Sequence, residues 1–335
     1  MKHSTITDIA KKLGVSPSTV SRALSDHPDI SPETKRLVKD LANELNFRPN
    51  AIAQSLKNKR TTTIGVIVPE IKHDFFAYAI SGIEEVAYNA GYTIIVCQSN
   101  ESYEREVVNT NLLMHQRVAG IIVSISQNTK QGDHFRDWIE RGIPLVFFDR
   151  VCNDVHANKV IIDDHQSAAN AVHYLIEKGY RKIAHFAGPQ TLEICQHRLE
   201  GYKDALKYSG IEINEDFIKY GGMHESDGYK SMDDLLGKNL IPDAIFAVTD
   251  PVAVGAFQRI NEACLRIPKD IALIGYSNNE ITTLLNPPLT TINQPSFEMG
   301  KKATEILINM IERKNVSREP ETVVLKSELI IRAST

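Results

Sequence analysis

The chain has 335 residues, of which 42% are hydrophobic, and a formal net charge of −4 at pH 7. This length predicts about two or three folding units. No apolar run approaches the roughly 20 residues that a membrane helix needs, and the polar N-terminus argues against a secretory signal. The cysteines lie far apart in sequence, which favours reduced core residues of a cytoplasmic protein over a disulfide framework or a metal site.

The charge is unevenly distributed along the chain. Residues 1–60 contain 11 lysines and arginines against 6 acidic residues, whereas the remainder contains 27 against 36. A basic head on an acidic body indicates a head that meets phosphate groups, because each neutralised phosphate releases counterions. Charge alone does not identify DNA as the partner.

The stretch TITDIAKKLGVSPSTVSRAL at residues 5–24 predicts two short helices joined by a tight turn. Thr5 can cap the first helix, and Gly14 supplies the left-handed residue that commonly ends one. Ser16 can cap the second helix, with Pro17 at its first position. A short polar helix that follows a turn of about three to four residues is typical of one that lies in a DNA major groove. Its outer face carries Pro17, Ser18, Thr19, Ser21 and Arg22.

A third helix is predicted after Ser31, with an inner apolar face formed by Leu37, Val38, Leu41 and Leu45. Pro49 then breaks the chain, and Asn50 can cap one further helix at Ala51–Leu56. That helix is too short to be stable alone in water.

From Thr63 onward, short apolar β-branched runs alternate with helical patterns. Buried parallel strands that alternate with helices predict doubly wound sheets, and the number of repeats favours two α/β lobes. Strands are predicted at 64–68, 93–97, 120–124, 145–148, 159–162, 182–186, 244–248 and 271–275. Helices are predicted at 75–90, 103–116, 135–141, 167–178, 198–209, 228–237, 252–263 and 297–313.

The helix-turn-helix stretch, RPNAIAQSL at residues 48–56 and TIGVIVP at 63–69 together resemble the lac-repressor (LacI/GalR) family of bacterial transcription regulators. The resemblance covers essentially the whole chain. It implies an all-α helix-turn-helix headpiece followed by an α/β body of two periplasmic-binding-protein-like lobes. The implied boundaries are a headpiece at 1–48, a hinge helix and linker at 49–61, and an effector-binding and dimerisation body at 62–335. The first lobe would hold 62–162 and 294–321, and the second 163–293 and 322–335.

The resemblance also implies which residues contact DNA. A homodimer would bind a pseudo-palindromic operator, and Leu56 of the hinge helix would wedge into the minor groove. Leu56 packed against the body is the alternative, and Lys57 belongs to a charged run that is often only a solvated linker. The implied DNA-binding residues are Thr5, Ser16, Pro17, Ser18, Thr19, Ser21, Arg22, Asn50, Ala53, Leu56 and Lys57.

In open α/β sheets, ligands bind outside the carboxyl ends of the strands. Arg198, in the segment HRLEGY, is similar to the effector-binding arginine of the family. The implied effector-binding residues are Phe75, Phe76, Asp149, Arg150, Arg198, Met223, Asp250 and Ser277. As alternatives, Phe75 and Phe76 fit an ordinary core, and Asp149 or Asp250 fits a helix cap.

Two departures from the family pattern concern this pocket. Ser277 stands where the family usually has an aspartate, and Leu192 and Ile194 are apolar where some relatives have polar contacts. Loss of a carboxylate beside Arg150 and Arg198 predicts a more positive pocket that tolerates an anionic ligand.

Enzymatic function is not expected, because the sequence has no GxSxG elbow, Walker loop or dinucleotide fingerprint. The run Asp163-Asp164-His165 fits a helix cap better than a metal site, so neither a metal nor a cofactor is predicted. A periplasmic ligand-binding protein and a sugar-processing enzyme are the alternatives. The favoured interpretation is a cytoplasmic, homodimeric repressor of carbohydrate-utilisation genes, controlled by a sugar or sugar derivative and without a membrane partner.

Overall fold

The computed structural model describes residues 5–45, 47, 61–312 and 319–335. The chain divides into a headpiece unit, Met1–Thr61, and a body unit, Thr62–Thr335. Within the described residues, no helix combines the length and the apolar character that a membrane span requires.

The described part of the headpiece contains three helices, α1 (Ile6–Leu13), α2 (Pro17–Leu24) and α3 (Pro32–Glu44). The predicted caps are confirmed. Thr5 forms a capping box with Asp8, Gly14 has a φ of 64° in the left-handed region, and the Ser16 side chain accepts a hydrogen bond from the amide of Thr19. These caps satisfy amides that a helix end otherwise leaves unpaired.

The headpiece core is small and consists of Ile9, Ala10, Val20, Ala23, Val38 and Ala42. One predicted core residue is wrong, because Leu37 is 46% exposed. Val38 and Ala42 lie four positions apart and therefore occupy the same buried stripe of α3, which turns Leu37 toward solvent.

The body alternates strands and helices, as predicted. Its strands are β1 (Thr63–Val68), β2 (Thr93–Gln98), β3 (Gly120–Val123), β4 (Leu145–Phe148), β5 (Asn158–Ile162), β6 (Ile183–Phe186), β7 (Ile218–Lys219), β8 (Ala244–Ala247), β9 (Ala272–Ser277), β10 (Thr290–Asn293), β11 (Thr322–Leu325) and β12 (Glu328–Ile330). Its helices are α4 (Asp74–Asn89), α5 (Tyr103–His115), α6 (Asp133–Glu140), α7 (Asp164–Glu177), α8 (Glu193–Tyr208), α9 (Glu225–Gly237), α10 (Asp250–Glu262), α11 (Ile281–Leu284) and α12 (Ser296–Glu312), with a 3₁₀ turn at Glu215–Phe217.

The strands form two six-stranded sheets, ordered β11-β5-β4-β3-β1-β2 and β12-β10-β9-β8-β6-β7. All strand pairs are parallel except the pair of β10 and β12, which is antiparallel. Helices cover both sheets, and this confirms the predicted class of two doubly wound α/β lobes.

The last crossing between the lobes differs from the prediction. Residues 322–335 were expected in the second lobe, but β11 pairs with β5 in the first sheet, with Val324 opposite Ile161. The chain reaches the second sheet only at β12, where Ile330 lies opposite Thr291. Only two residues separate β11 from β12, so the pattern of hydrophobicity did not distinguish two edge strands from one continuous strand.

Helix α8 also begins earlier than predicted. Its first residue is Glu193, after Leu192, so Arg198 lies in the second turn rather than at the start of the helix. Nothing in the sequence marks this start, because the Leu192 side chain makes no capping hydrogen bond.

Helices α4 and α12 approach so closely that their backbones are in contact. A Cβ atom added at Gly82 would lie 2.1 Å from the carbonyl oxygen of Phe297, and one added at Gly300 would lie 2.1 Å from that of Ala79. This contact fixes α4, the helix whose first turn carries Phe75 and Phe76.

We therefore expect Gly300→Ala to lower the free energy of unfolding by about 1–3 kcal/mol, because the helices must separate to admit the methyl group. Gly237→Ala is a matched control, since its added Cβ would meet nothing within 4 Å at the last residue of α9. It should be neutral or stabilising by up to about 1 kcal/mol. Urea unfolding measures both effects, and equal free energies for the two variants would contradict the close packing.

Candidate functional site

A cavity lies between the two lobes, where the carboxyl ends of strands from both sheets face each other. It contains about 460 Å³ of space not filled by protein atoms, part of which is open to solvent. Seven of the eight predicted ligand residues line it: Phe75, Phe76, Asp149, Arg150, Arg198, Met223 and Ser277. The structure adds His73, Ile194, Thr249, Pro251, Asn279 and Gln294.

Asp250 is the exception and does not line the cavity. Its carboxylate is fully buried and accepts hydrogen bonds from the Thr291 hydroxyl at 2.6 Å and the Asn279 amide at 2.7 Å. Burial raises its pKa to about 6. Asp250 is not the cap of α10 either, because Thr249 occupies that position. The carboxylate instead holds the loop that carries Asn279 into the cavity wall.

Arg198 is anchored from several sides although its side chain is only 1% exposed. Nε donates to Asp164 Oδ1 at 2.7 Å, and Nη1 donates to the Val248 carbonyl at 2.7 Å. The guanidinium carbon lies 3.6 Å from the ring centroid of Tyr276, which is close enough for a cation–π interaction. Nη2 lies 2.7 Å from the same Asp164 oxygen but has no hydrogen-bond partner. Nη2 is therefore ion-paired but lacks a well-aligned hydrogen bond, and its two N–H groups leave it able to donate to a ligand as well.

Arg150 is held in a similar way from the first lobe. Nη1 donates to Glu101 Oε1 at 2.8 Å, and the guanidinium lies 5.5 Å from the ring centroid of Phe76. Its Nε is buried and has no hydrogen-bond partner. Each of the two arginines of the cavity wall thus keeps one donor without a well-aligned hydrogen bond.

The expectation of a positively charged pocket is wrong. Arg150 is paired with the buried Glu101, and Arg198 with the buried Asp164. Glu101 and Asp164 are far in sequence from the arginines that they neutralise, and neither lines the pocket. The residues of the pocket wall alone therefore do not show that the positive charges are compensated. Asp149 adds a further acidic group to the wall, and no excess of positive charge remains to attract an anion.

Asp149 follows β4 and adopts a left-handed backbone conformation with a φ of 57°. Aspartate tolerates this conformation better than most residues. Burial raises the pKa of its carboxyl group to about 6, against the opposing effect of Arg150 and Arg198. The group is therefore ionised at pH 7.5 and can accept hydrogen bonds from a ligand.

The loop after β9 completes the polar wall from the second lobe. Ser277 has a φ of 121°, and its hydroxyl donates to Gln294 Oε1 at 2.9 Å. The Gln294 side chain also hydrogen-bonds the Asp149 carboxyl group and lowers its pKa against the effect of burial, and Asn279 Oδ1 is buried without a hydrogen-bond partner. Together with Asp149, the cavity therefore offers both donors and acceptors to a ligand.

Phe75 and Phe76 form the apolar side of the cavity together with Ile194 and Met223. The two rings meet edge to face at 5.1 Å, and both residues belong to the core of the first lobe. These two phenylalanines therefore belong to the hydrophobic core and also line the cavity, so both interpretations given for them apply. A flat apolar surface opposite fixed polar atoms is a common arrangement in ligand sites.

Direct contacts join the lobes beside the cavity. The Tyr78 hydroxyl donates to Glu280 Oε1 at 2.5 Å, and the Glu280 amide donates to Asp74 Oδ2 at 3.0 Å. On the other side, the Thr191 hydroxyl donates to the Gln127 carbonyl at 2.7 Å. A ligand that contacts both lobes would act together with these bonds in holding the lobes closed.

In the headpiece, α2 presents Pro17, Ser18 and Arg22 to solvent, whereas Thr19 and Ser21 are partly buried. The Ser16 hydroxyl lies 2.7 Å from that of Ser18 and 2.8 Å from that of Thr19. Ser16 and Thr5 cap their helices, so DNA contact is an additional proposed role for them. The predicted hinge residues Asn50, Ala53, Leu56 and Lys57 lie outside the described residues.

A capped helix-turn-helix and a two-lobed body with a central cavity define a DNA-binding regulator with a ligand-binding body. Comparisons with known proteins agree with this class. Residues 5–50 match the model of bacterial regulatory proteins of the lacI family, and residues 172–335 match a periplasmic binding protein-like domain. The chain belongs to the lacI family.

Individual relatives extend the similarity over the whole chain. The HTH-type transcriptional repressor PurR of Pasteurella multocida is 35% identical over 334 residues, which are 99% of this chain and 98% of that protein. The lac repressor dimer bound to operator and the anti-inducer ONPF is 26% identical, with 99% of both chains covered and a TM-score of 0.87. The transcriptional regulator CelR in complex with cellobiose is 28% identical, with 99% of this chain and 100% of that chain covered and a TM-score of 0.75. The chain is thus a DNA-binding transcriptional repressor with a small-molecule effector, and a periplasmic binding protein is not favoured.

Proposed function

We propose that the effector of this repressor is a neutral, hydroxyl-rich small molecule of the sugar class, and that the repressor controls carbohydrate-utilisation genes. The observation that carries this proposal is the set of buried atoms on the cavity wall that lack well-aligned hydrogen bonds. Arg150 Nε is a donor and Asn279 Oδ1 an acceptor without hydrogen bonds, and Arg198 Nη2, 2.7 Å from Asp164 Oδ1, lacks a well-aligned one. A buried donor or acceptor without a hydrogen bond raises the free energy of the folded protein. A hydroxyl group can both donate and accept, so a ligand with many hydroxyl groups can bind donors and acceptors of the wall.

The charge balance of the cavity supports a neutral ligand over a phosphorylated one. Both arginines are already paired with buried carboxylates, and Asp149 adds a negative charge at neutral pH. A phosphate group would meet Asp149 without gaining an uncompensated cation. The complex of CelR with cellobiose is consistent with a sugar effector in a relative of the same fold.

In this proposal, each predicted residue has a specific task. Arg198 and Arg150 donate to hydroxyl groups of the ligand, and Asp149 accepts from them. Phe75, Phe76 and Met223 pack against its apolar face, and Ser277 positions Gln294. Asp250 supports the Asn279 loop without contacting the ligand.

We further propose that the protein acts as a homodimer on a pseudo-palindromic operator in the cytoplasm. Strand β2 is an edge of the first sheet, and it carries Ile95, which is 37% exposed. The helices beside it expose Tyr88 of α4 and both Val108 and Leu112 of α5. An apolar face around a free sheet edge suits a second copy of the chain. The lac repressor, which has a similar fold, is a dimer when bound to its operator.

The proposed effector class is tested by a thermal-shift screen of neutral sugars and phosphosugars on the full-length protein, followed by calorimetry. We expect stabilisation by a neutral sugar, because a ligand that binds the native state raises its stability by mass action. A response confined to phosphosugars or other anions would contradict the proposed class.

The role of Asp149 predicts a pH dependence of effector binding. The ionised carboxylate accepts two hydroxyl hydrogen bonds, and it becomes protonated as the pH falls through about 6. Affinity should therefore fall by up to about tenfold between pH 7.5 and 5, as measured by calorimetry. Asp149→Asn should bind more weakly at pH 7.5 and lose this dependence.

Asp250→Asn is the control for this prediction, because burial also raises the pKa of Asp250 to about 6 although it lies outside the cavity wall. The pH dependence should persist in that variant. A dependence that survives Asp149→Asn, or one that vanishes in Asp250→Asn, would assign the titration to another group.

A further inference from the structure

Two histidines and a glutamate meet where the two lobes face each other. Glu70 and His73 follow β1 in the first lobe, and His224 is the residue before α9 in the second lobe. His73 also lines the effector cavity. The carboxylate of Glu70 is buried, and both imidazoles are partly buried. The cluster therefore brings together potential metal ligands from both lobes beside the proposed effector.

The distances within this cluster are close to those of a metal site. His73 Nε2 lies 2.6 Å from Glu70 Oε2, and His224 Nδ1 lies 3.7 Å from the same oxygen. The two imidazole rings are stacked, with centroids 5.8 Å apart. One ligand atom from each residue lies within 4.8 Å of the other two. His224 Nδ1 is buried and makes no well-formed hydrogen bond, although the side chain also faces the backbone of Asp227 at the start of α9.

We propose that Glu70, His73 and His224 bind a divalent transition metal of the zinc class that joins the two lobes. Two imidazole nitrogens and one carboxylate form a ligand set typical of zinc, with a fourth position open to water or to a ligand hydroxyl. Ligand atoms around a tetrahedral zinc ion with bonds of about 2.0–2.1 Å lie about 3.4 Å apart. Shifts of about 1.5 Å or less convert the present geometry into such a site.

An ordinary ion pair between His73 and Glu70 is the alternative to a metal site. Lys72 Nζ lies 3.5 Å from Glu70 Oε1, whereas the contacts of both histidines are to Oε2. The Lys72 side chain is 66% exposed and can move into water when a cation binds. The ion pair leaves His224 Nδ1 at 3.7 Å from Glu70 Oε2 and without a hydrogen bond, whereas a metal ion uses all three residues.

No sequence pattern indicates this cluster, because 151 positions separate His73 from His224. The run that it did suggest, Asp163-Asp164-His165, does not converge on one point. Asp163 caps α7, Asp164 is bonded to Arg198, and His165 lies 3.0 Å from Asp204.

A metal ion with ligands from both lobes would favour the closed arrangement, since an open cleft separates His224 from the other two ligands. The metal ion shifts the equilibrium between the open and closed arrangements of the lobes only to the extent that it binds the closed one more tightly. The metal would thus act as a co-effector. This proposal depends on the two-lobed body and not on the identity of the organic effector.

Calorimetric titration of Zn²⁺ into the chelator-treated full-length protein tests the proposal, with Co²⁺ absorption spectra as a second readout of ligand geometry. We expect one ion per chain, and loss of affinity by at least about 100-fold in His224→Ala and in Glu70→Gln. His165→Ala is the control, because it removes a histidine that also pairs with a carboxylate but lies outside the cluster. It should bind Zn²⁺ as the unchanged protein does.

Circular dichroism spectra establish that the variants are folded, and His224 is partly exposed, so its removal is not expected to unfold the body. Binding that is not saturable at one ion per chain would overturn the proposal. Unchanged affinity in His224→Ala, or equal losses in His224→Ala and His165→Ala, would overturn it as well.

Discussion

Replacement of Arg198 by methionine is expected to abolish the response to effector and to lower the free energy of unfolding by about 3–5 kcal/mol. The large loss of stability follows from Asp164, whose buried carboxyl group would lose the cation that offsets its desolvation. The loss of response follows from the guanidinium of Arg198, a residue of the cavity wall whose Nη2 lacks a well-aligned hydrogen bond in the protein. Urea unfolding and effector calorimetry measure the two effects, and operator binding should persist while the protein is folded.

A double variant, Arg198→Met with Asp164→Asn, separates these two roles. Because Asp164 does not line the cavity, its neutralisation should restore much of the stability but not the effector response. If the double variant regained effector affinity, the arginine would act only as the partner of Asp164. The effector site would then have to be sought among other residues.

Substitution of Pro17 and Ser18 is expected to change which operator sequence is bound, by about 10- to 100-fold in relative affinity. Both residues are exposed at the start of α2, and residues at this end of a recognition helix reach base edges in the major groove. One good contact with a base contributes about 1–3 kcal/mol of discrimination. A panel of single-base operator variants, measured by fluorescence anisotropy, reports the change.

Lys57→Ala serves as the contrasting variant, since a phosphate contact carries no sequence information. It should weaken binding to every operator alike. The slope of log affinity against log salt concentration should become less steep by about one. Lys207→Ala, an exposed change on the body, should alter neither property. Uniform loss across all operators in both the Pro17 and Lys57 variants would contradict the proposed division between base and phosphate contacts.

The headpiece and the two lobes were predictable from local sequence signals, because helix caps, turns and strand patterns depend on residues that are close together in the chain. The caps at Thr5 and Ser16 and the left-handed Gly14 are such signals, and all three are confirmed. The cavity wall was largely predictable for a similar reason, since loops after parallel strands gather at one edge of each sheet. This rule, with the family resemblance, located Phe76, Asp149 and the other predicted residues of the wall.

The remaining features depend on partners distant in sequence. Asp250 turns away from the cavity because Thr291 of β10 binds its carboxylate, and β10 was not predicted. Gln294 was missed for the same reason, as it directly follows that strand. The charge of the cavity was mispredicted because Glu101 lies 49 positions from Arg150. A pattern of residue types along the chain does not contain these pairings.

The most direct test is whether effector and operator influence each other's binding. Operator affinity is measured by fluorescence anisotropy with and without a saturating amount of the sugar found in the screen, and sugar affinity is measured by calorimetry with and without operator. Thermodynamic linkage requires the same factor in both experiments, and we expect it to be about 5- to 150-fold. Operator affinity that is unchanged by saturating sugar would show that the cavity does not control DNA binding.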